Sequence, residues 1–204
     1  MRLDPFADQS LHDVLDAVAA QQPAPGGGSA AAWSGAYGAA LVEMAANFTL
    51  ARPKYAGVHH RMADVRRDAK ALRRELLELG QRDAEGGYEP VIVALRLPEK
   101  HPQRERKLDE ARSDASEAPL AVAEAAARVA ELAAETARTG GVHLQGDSIT
   151  GALIAEAAAR SAAGLVEINL AGREDERLER AADASRRAGV AREEALRIRE
   201  EIVR

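Results

Sequence analysis

One long alanine-rich stretch limits this chain to a helical fold. Residues 29–50 read "SAAAWSGAYGAALVEMAANFTL", a run without proline in which alanine is the commonest residue. Alanine has the highest intrinsic helix propensity, so the stretch predicts one helix of about five to six turns. Gly35 and Gly38 lie inside it, and each weakens a helix by roughly 1 kcal/mol relative to alanine. We therefore expect a neighbouring helix to approach closely at these two glycines.

Helical patterns continue along the rest of the chain. Aromatic residues make up only 3% of it, so alanine, leucine and valine must build the core. Small side chains let backbones approach closely, which favours packed helices over a sheet with aromatic cross-strand pairs. Apolar spacing and proline positions predict further helices over residues 8–22, 59–83, 88–98, 103–139, 148–171 and 173–204.

Three local features refine this prediction. Ser10 is a plausible N-cap of the first helix, and Pro119 is expected to kink the helix at 103–139. The β-branched run at 91–93 could be a short strand by itself, but a lone strand has no partner, so we predict helix. The sequence thus predicts an all-α bundle of long antiparallel helices in a single domain, 1–204, that ends in a charged helix at 173–204.

Charge and cysteine content exclude several classes of partner. The net charge of -5 gives no general attraction to nucleic acid or to anionic lipid, and there is no cysteine for disulfides or thiolate metal sites. The N-terminal residues lack the apolar core of a signal peptide, and charged residues interrupt the most apolar segment, at 151–172. We expect a cytoplasmic protein that binds neither nucleic acid nor membrane.

The glycine-rich segment "PAPGGGS" at residues 23–29 precedes the long helix. A helix N-terminus exposes unpaired N–H groups and a partial positive charge, and glycines let a ligand approach the main chain. Together these features predict a site for a carboxylate or a phosphate, with Ser29 either capping the helix or facing the ligand. The alternative is a plain turn in which Ser29 is only the N-cap. Neither a P-loop nor a Rossmann pattern is present.

A row of polar residues follows along the same helix. Steps of three and four residues from Ser29 reach Glu43 and Asn47, so the three lie near one line. A carboxylate among alanines is costly to bury without a partner, which favours a functional site. The alternative is a stripe that faces solvent.

At this point the chain resembles a known family. The segments "PAPGGGS" at 23–29, "ALVEMAANFT" at 40–49 and the pair Lys54-Tyr55 are similar to the signature of the formimidoyltetrahydrofolate cyclodeaminase and methenyltetrahydrofolate cyclohydrolase family. The resemblance covers about residues 8–175. It implies an all-helical homodimer without a bound cofactor or metal, whose substrate is a tetrahydrofolate derivative.

The resemblance also implies the chemistry. The first expectation is conversion of 5-formiminotetrahydrofolate to 5,10-methenyltetrahydrofolate with release of ammonia. The alternatives are hydrolysis of 5,10-methenyltetrahydrofolate and a helical dimerisation scaffold without activity. Both reactions need an acid and a base near the carbon that bridges N5 and N10, and neither needs a metal.

Site residues follow from the matching positions. The expected acid–base or cation-stabilising carboxylates are Asp147, Glu43 and Asp83, and the expected substrate-binding residues are Gly26, Gly27, Gly28, Ser29, Asn47, Lys54 and Tyr55. Several of these have structural alternatives: Asp147 as a helix N-cap, Asp83 as a surface charge, Asn47 as a helix C-cap and Tyr55 as a packing residue. The histidines show no metal-ligand spacing.

One departure from the family pattern concerns Asp83. The family has three residues between this aspartate and the following aromatic residue, whereas Asp83 and Tyr88 are separated by four. The extra residue predicts a bulge or a break in the helix.

Overall fold

A computed structural model describes residues 5–203 of the chain. The predicted domain 1–204 includes residues 1–4 and 204, which lie outside the described residues. Residues 5–203 contain α-helices and short 3₁₀ or π turns but no strand. The α-helices are α1 (Leu11–Ala19), α2 (Gly27–Leu50), α3 (His59–Arg82), α4 (Glu89–Leu95), α5 (Arg104–Asp114), α6 (Glu117–Thr139), α7 (Gln145–Asn169) and α8 (Glu176–Val203).

The five long helices form the bundle, with α2 in contact with α3, α6 and α7. Glu43 of α2 pairs with Arg73 of α3, while Gly35, earlier in α2, lies against Leu76, later in α3, so these two helices are antiparallel. The core is built largely from fully buried alanines and valines. The all-α bundle predicted from the sequence is confirmed.

Close approach of α2 and α7 explains one of the glycines inside α2. A methyl group at Gly38 would lie 3.0 Å from the Gly151 carbonyl oxygen and 3.3 Å from the Ala155 methyl group. Backbone of a neighbouring helix moves aside only at a cost, so any larger side chain at this position would be crowded. The expectation of close helix contact at this position is confirmed.

Replacing Gly38 with leucine is therefore expected to lower the free energy of unfolding by about 1–3 kcal/mol, because the side chain overpacks the contact between α2 and α7. Gly189 of α8 is the matched control, since nothing lies within 4 Å of a methyl group placed there. Gly189→Leu should leave stability unchanged or raise it by up to about 1 kcal/mol, because leucine has the higher helix propensity. Urea unfolding of both variants measures the difference, and equal effects would contradict the packing argument.

The charged C-terminal segment is a helix with one buried face. Its buried residues recur at helical spacing and are all alanines: Ala181, Ala184, Ala188, Ala191 and Ala195. Arginines beside this stripe reach glutamates of α6, as in the pairs Arg180–Glu124 at 2.8 Å and Arg187–Glu131 at 2.7 Å. The segment is thus part of the bundle.

A compact ion pair holds the start of α8. Arg177 donates two hydrogen bonds to the carboxylate of Asp175 and one to the Ser113 carbonyl oxygen, near the end of α5. The guanidinium of Arg177 lowers the pKa of Asp175 to about 2. Because the folded pKa lies below the unfolded value, this carboxylate stabilises the fold above about pH 4 and loses that contribution as the pH falls toward 2.

Arg177→Met removes the cation and returns the pKa of Asp175 toward its ordinary value. We expect the variant to be less stable than the wild type at neutral pH, with a stability difference that shrinks as the pH falls from about 4 to about 2. Urea unfolding at a series of pH values measures this difference. A difference that stays constant over that range would contradict the assignment.

Pro119 does not kink a long helix, so the prediction of one helix over 103–139 is wrong. The chain instead forms α5 and α6, and Pro119 lies in the first turn of α6, where its missing N–H costs nothing. Asn169 of α7 donates to the Ala115 carbonyl oxygen in the break between the two helices. By contrast, Ser10 caps α1 as predicted, since its hydroxyl oxygen accepts from the Asp13 N–H.

Within residues 5–203, one helical stretch, Val142–Asn169, is long and apolar enough by length and composition to cross a membrane. It contains α7, which packs against α2, α6 and α8. Just over half of its most apolar window, 56%, is buried inside the bundle. This burial matches the place of α7 at the centre of the fold.

Candidate active site

The glycine-rich segment forms the start of α2, and of the two alternatives for Ser29, the helix N-cap does not hold. The helix begins at Gly27, and Gly26 is an N-cap without a side chain to accept from the backbone. Ser29 is fully buried in the first turn, and its hydroxyl donates to Oδ2 of Asp83 at 2.7 Å. Ser29 therefore positions a carboxylate from the end of α3.

The absence of a side chain at Gly28 leaves room for this carboxylate. Any Cβ at residue 28 would overlap the carboxylate group of Asp83. The segment that we expected to receive a ligand anion therefore receives a carboxylate of the protein itself. A negative charge beside a helix N-terminus is stabilised by the helix dipole. The alternative that Asp83 is only a surface charge does not hold, because it bonds Ser29 across 54 positions of sequence.

The extra residue after Asp83 is absorbed where the sequence predicted a bulge or a break. Residues Asp83–Gly87 form a π turn, and the backbone at Gly86 is not helical. The next helix, α4, begins at Glu89. Asp83 therefore remains at the end of α3, where its carboxylate reaches α2.

Glu43 lies half-way along the same helix and has a partner. Its carboxylate accepts from Arg73 Nε of α3 at 2.9 Å, and 18% of the Glu43 side chain is exposed. From the sequence alone, an unpaired carboxylate at this position was expected to be costly to bury. The ion pair with Arg73 removes that cost. A carboxylate held by an arginine in this way is a weaker candidate for a catalytic base.

The C-terminal end of α2 carries a second polar cluster. Tyr55 accepts from the Val142 N–H at 3.1 Å, and Lys54 lies 4.8 Å from the centre of the tyrosine ring. The Val142 N–H, followed by Lys54 and Arg52, lowers the pKa of the Tyr55 phenol below its usual value of 10. The Tyr55 side chain is thus half-buried, and its hydroxyl group binds the backbone that leads from α6 to α7.

Asn47 and Asp147 lie near this second cluster. Asn47 is exposed and does not cap α2, whose C-cap is Ala51. Asp147 lies in the first turn of α7, two residues inside the helix, so it is not the N-cap. Because α7 runs antiparallel to α2 and Gly151 touches Gly38 and Leu41, Asp147 falls alongside the last turns of α2. Among residues 5–203, neither side chain has a hydrogen bond or an ion pair.

These residues form two groups rather than one. Residues 26–29 and Asp83 lie at the N-terminal end of α2, while Asn47, Lys54, Tyr55 and Asp147 lie at its C-terminal end. Twenty residues separate Gly27 from Asn47, which is about 30 Å along an α-helix. Within a single subunit the two groups therefore lie too far apart to line one site.

A cavity of about 450 Å³, which the sequence did not predict, lies between α1 and the N-terminal half of α2. Its walls are mostly apolar and include Trp33 and Tyr37 of α2, Leu11 and Leu15 of α1, and Arg73 of α3. None of the residues expected at the site lines it. Among the described residues, no cluster of three or more His, Asp or Glu side chains could hold a metal ion.

Comparison with known proteins identifies the fold and its motifs. The sequence pattern described as formiminotransferase-cyclodeaminase matches residues 10–188, most of the chain. The chain belongs to this family. The signature segments at both ends of α2 lie inside the matched region, and so do Asp83 and Asp147. The resemblance inferred from the sequence is confirmed.

Individual relatives are enzymes. The chain is 35% identical to the methenyltetrahydrofolate cyclohydrolase of Methylorubrum extorquens over 172 residues, which is 82% of each protein. It is 30% identical to the mouse formimidoyltransferase-cyclodeaminase over 144 residues, 69% of this chain but only 26% of the mouse protein. A formiminotetrahydrofolate cyclodeaminase structure from Thermotoga maritima superposes with a TM-score of 0.86 at 27% identity, covering 97% of this chain and 99% of that one. The chain is thus an enzyme of the cyclodeaminase and cyclohydrolase family.

Proposed function

We propose that this family member hydrolyses 5,10-methenyltetrahydrofolate to 10-formyltetrahydrofolate. The observation that carries the proposal is the 35% identity to a methenyltetrahydrofolate cyclohydrolase along 82% of both chains. The arrangement of Gly28, Ser29 and Asp83 supports it, since these residues hold one carboxylate at the N-terminus of α2. From the sequence alone this reaction was the alternative. The identity to the Methylorubrum extorquens cyclohydrolase now favours it over the release of ammonia.

The reaction needs a base for water and an acid for N5. Water adds to the bridge carbon of the cationic substrate and loses a proton to the base. The bond between that carbon and N5 breaks as N5 takes a proton. The added hydroxyl group loses its remaining proton, which leaves the formyl group on N10 and releases one proton overall.

Two carboxylates and a phenol suit these steps. Asp83, oriented by the Ser29 hydroxyl, is our candidate for stabilising the cationic substrate. Asp147, which has no ion-pair partner among the described residues, is our candidate for the base. Tyr55, whose pKa is lowered by the Val142 N–H, is our candidate for the proton donor to N5. Asn47 and Lys54 are proposed to bind the pterin and the anionic glutamate tail, and no step calls for a bound cofactor.

Formimidoyltetrahydrofolate cyclodeaminase activity is the second candidate. Its supporting observation is the TM-score of 0.86 to a structure that carries that name. In this reaction N10 attacks the formimino carbon and loses its proton, and the formimino nitrogen leaves as ammonia once it is protonated. The same acid and base groups serve both reactions.

Parallel assays separate the two candidates. The purified chain is given 5,10-methenyltetrahydrofolate in one assay and 5-formiminotetrahydrofolate in the other, and methenyl absorbance is followed over time. A cyclohydrolase accelerates the fall of absorbance in the first assay. A cyclodeaminase raises absorbance and releases ammonia in the second. If neither assay shows a change faster than in buffer alone, the proposed function is contradicted.

We also propose that the chain works as a cytoplasmic homodimer. Support comes from an apolar strip on the outer surface of α2, where Tyr37 is 55% exposed and Phe48 is 50% exposed. A strip of this kind on a soluble bundle marks an interaction surface. Sedimentation equilibrium of the purified chain measures its mass, and a monomer at micromolar concentration would contradict the dimer.

A further inference from the structure

Helices α4 and α5 form a hairpin with a small core of its own. Val91 of α4 is buried together with Ala111 of α5 and with Ala115, the C-cap of α5, and Leu108 packs against them. The five long helices share a separate and much larger core. A groove of about 490 Å³ remains between α4 and α5, so the two helices fill the space between them incompletely. The hairpin is therefore a distinct, loosely packed unit beside the bundle.

Both chain connections between the hairpin and the bundle are breaks between helices. On the way in, the π turn Asp83–Gly87 separates α3 from α4, and Gly86 within it has non-helical backbone angles. A methyl group at Gly86 would meet nothing within 4 Å, so the backbone there is not wedged between neighbours. On the way out, Ala115 and Ser116 separate α5 from α6. Hinges lie at short breaks of this kind, and glycine allows a wide range of backbone angles.

A third attachment of the hairpin is polar. Arg173, in the connection between α7 and α8, donates to the carbonyl oxygen of Asp109 at 2.9 Å and to its carboxylate at 2.7 Å. Arg177 donates to the carbonyl oxygen of Ser113 at 2.9 Å and to its hydroxyl group at 2.8 Å. We call these four hydrogen bonds the latch. The Asp109 side chain is 68% exposed, so water can replace its bonds when the hairpin moves away.

The hairpin lies at the end of the bundle that holds Asp83. Gly38 of α2 lies against Val129 of α6. Gly35, three residues earlier, lies against Ala126, so these two helices are parallel, whereas α3 and α7 run antiparallel to α2. The start of α2, the end of α3, the start of α6 and the end of α7 therefore meet at one end of the bundle. The hairpin is attached at three points around this end: the π turn, the break at 115–116 and the latch.

Resting on the proposed function, we propose that the α4–α5 hairpin is a lid that opens to admit the folate to Asp83 and closes over it. The structure shows the latched position, in which Asp83 is half-buried. A carboxylate stabilises a cationic substrate more strongly when water is kept away from both charges. The lid opens about Gly86 and residues 115–116, which breaks the latch and leaves the core of the hairpin intact.

Hydrogen exchange followed by mass spectrometry tests this movement without an assay of activity. The backbone amides of residues 88–114 are expected to exchange faster than those of α2 and α6, because the hairpin opens while the bundle stays folded. Arg173→Met removes two bonds of the latch and keeps a long side chain. It is expected to speed exchange in the hairpin about ten-fold and to leave exchange in α2 and α6 unchanged.

Arg180→Met is the matched control for Arg173→Met. Arg180 also joins α8 to a neighbouring helix, through its ion pair with Glu124 of α6, but it is not part of the latch. Exchange in the hairpin is expected to stay at the wild-type rate in this control. Hairpin amides that exchange as slowly as those of α6, or equally fast in wild type and Arg173→Met, would overturn the proposal. An equal increase in both variants would also overturn it.

A folate without the bridge to N10 tests whether the hairpin closes over the substrate. The probe is 5-formyltetrahydrofolate, and isothermal titration calorimetry measures its Kd. At ten times this Kd, the probe is expected to slow exchange in the hairpin about ten-fold, because it binds only when the lid is closed. A bound probe that leaves this exchange unchanged would overturn the lid, even if the wild type proves active. A chain that neither binds the probe nor turns over either substrate, but responds to Arg173→Met as expected, would refute the proposed function and support the hinged hairpin.

Discussion

Replacing Asp83 with asparagine is expected to lower kcat by at least about 100-fold, since it removes a charge from the proposed reacting centre. Ser29 and Gly28 hold the carboxylate, and an amide of nearly the same shape keeps an oxygen that accepts from the Ser29 hydroxyl. The variant should therefore fold normally. Initial rates with 5,10-methenyltetrahydrofolate measure the loss, and circular dichroism checks the fold.

Glu85 offers a matched control for Asp83. It lies two residues further along the same π turn, and its carboxylate accepts from Gln81 Nε2 at 2.8 Å. Glu85→Gln removes the same charge from the same segment but leaves the contact with Ser29 intact. We expect its kcat to stay within about two-fold of the wild type, as for a surface charge outside the reacting centre. Equal losses of kcat in both variants would show that kcat depends on the net charge of this segment and not on the carboxylate that Ser29 holds.

Replacing Asp147 with asparagine is the second large effect that we expect, again at least about 100-fold in kcat, because a proposed base is lost. The aspartate also stabilises the N-terminus of α7 through the helix dipole, which contributes about 0.3–1 kcal/mol. The variant should therefore lose a little stability and nearly all activity. Initial rates and urea unfolding measure the two effects separately.

Glu176 separates these two effects. It lies in the first turn of α8, as Asp147 does in α7, and it is exposed. Glu176→Gln should cost a similar amount of stability through the same dipole effect and leave kcat unchanged. If Asp147→Asn kept its activity, Asp147 would be only a helix-terminal charge.

Sequence patterns predicted the helices because their signals are local. Alanine runs, apolar periodicity and the Ser10 cap each act within a few residues, and all three were confirmed. Pro119 was misread because proline suits the first turn of a helix as well as it disrupts the interior, and only the break at 115–116 distinguishes these cases. The extra residue after Asp83 was predicted as a bulge from its count alone.

The site was harder to predict, because its geometry depends on packing between helices. Gly28 was expected to face a ligand, yet it faces Asp83, and only the approach of α3 reveals this. Glu43 was expected to need a partner, but no pattern named Arg73, 30 positions away. The prediction that Ser29, Glu43 and Asn47 all lie on one helix was correct. It could not show that a single subunit divides the polar residues between two ends.

The central claim is that this helical bundle catalyses a reaction at the carbon that bridges N5 and N10 of a folate. The aspartates at the two ends of α2 are proposed to be the catalytic groups. The most direct measurement compares the wild type with the double variant Asp83→Asn, Asp147→Asn at equal concentration, by the initial rate of loss of 5,10-methenyltetrahydrofolate. We predict a wild-type rate well above that of buffer and a double-variant rate equal to that of buffer. A wild type no faster than buffer, or a folded double variant as fast as the wild type, would contradict the claim.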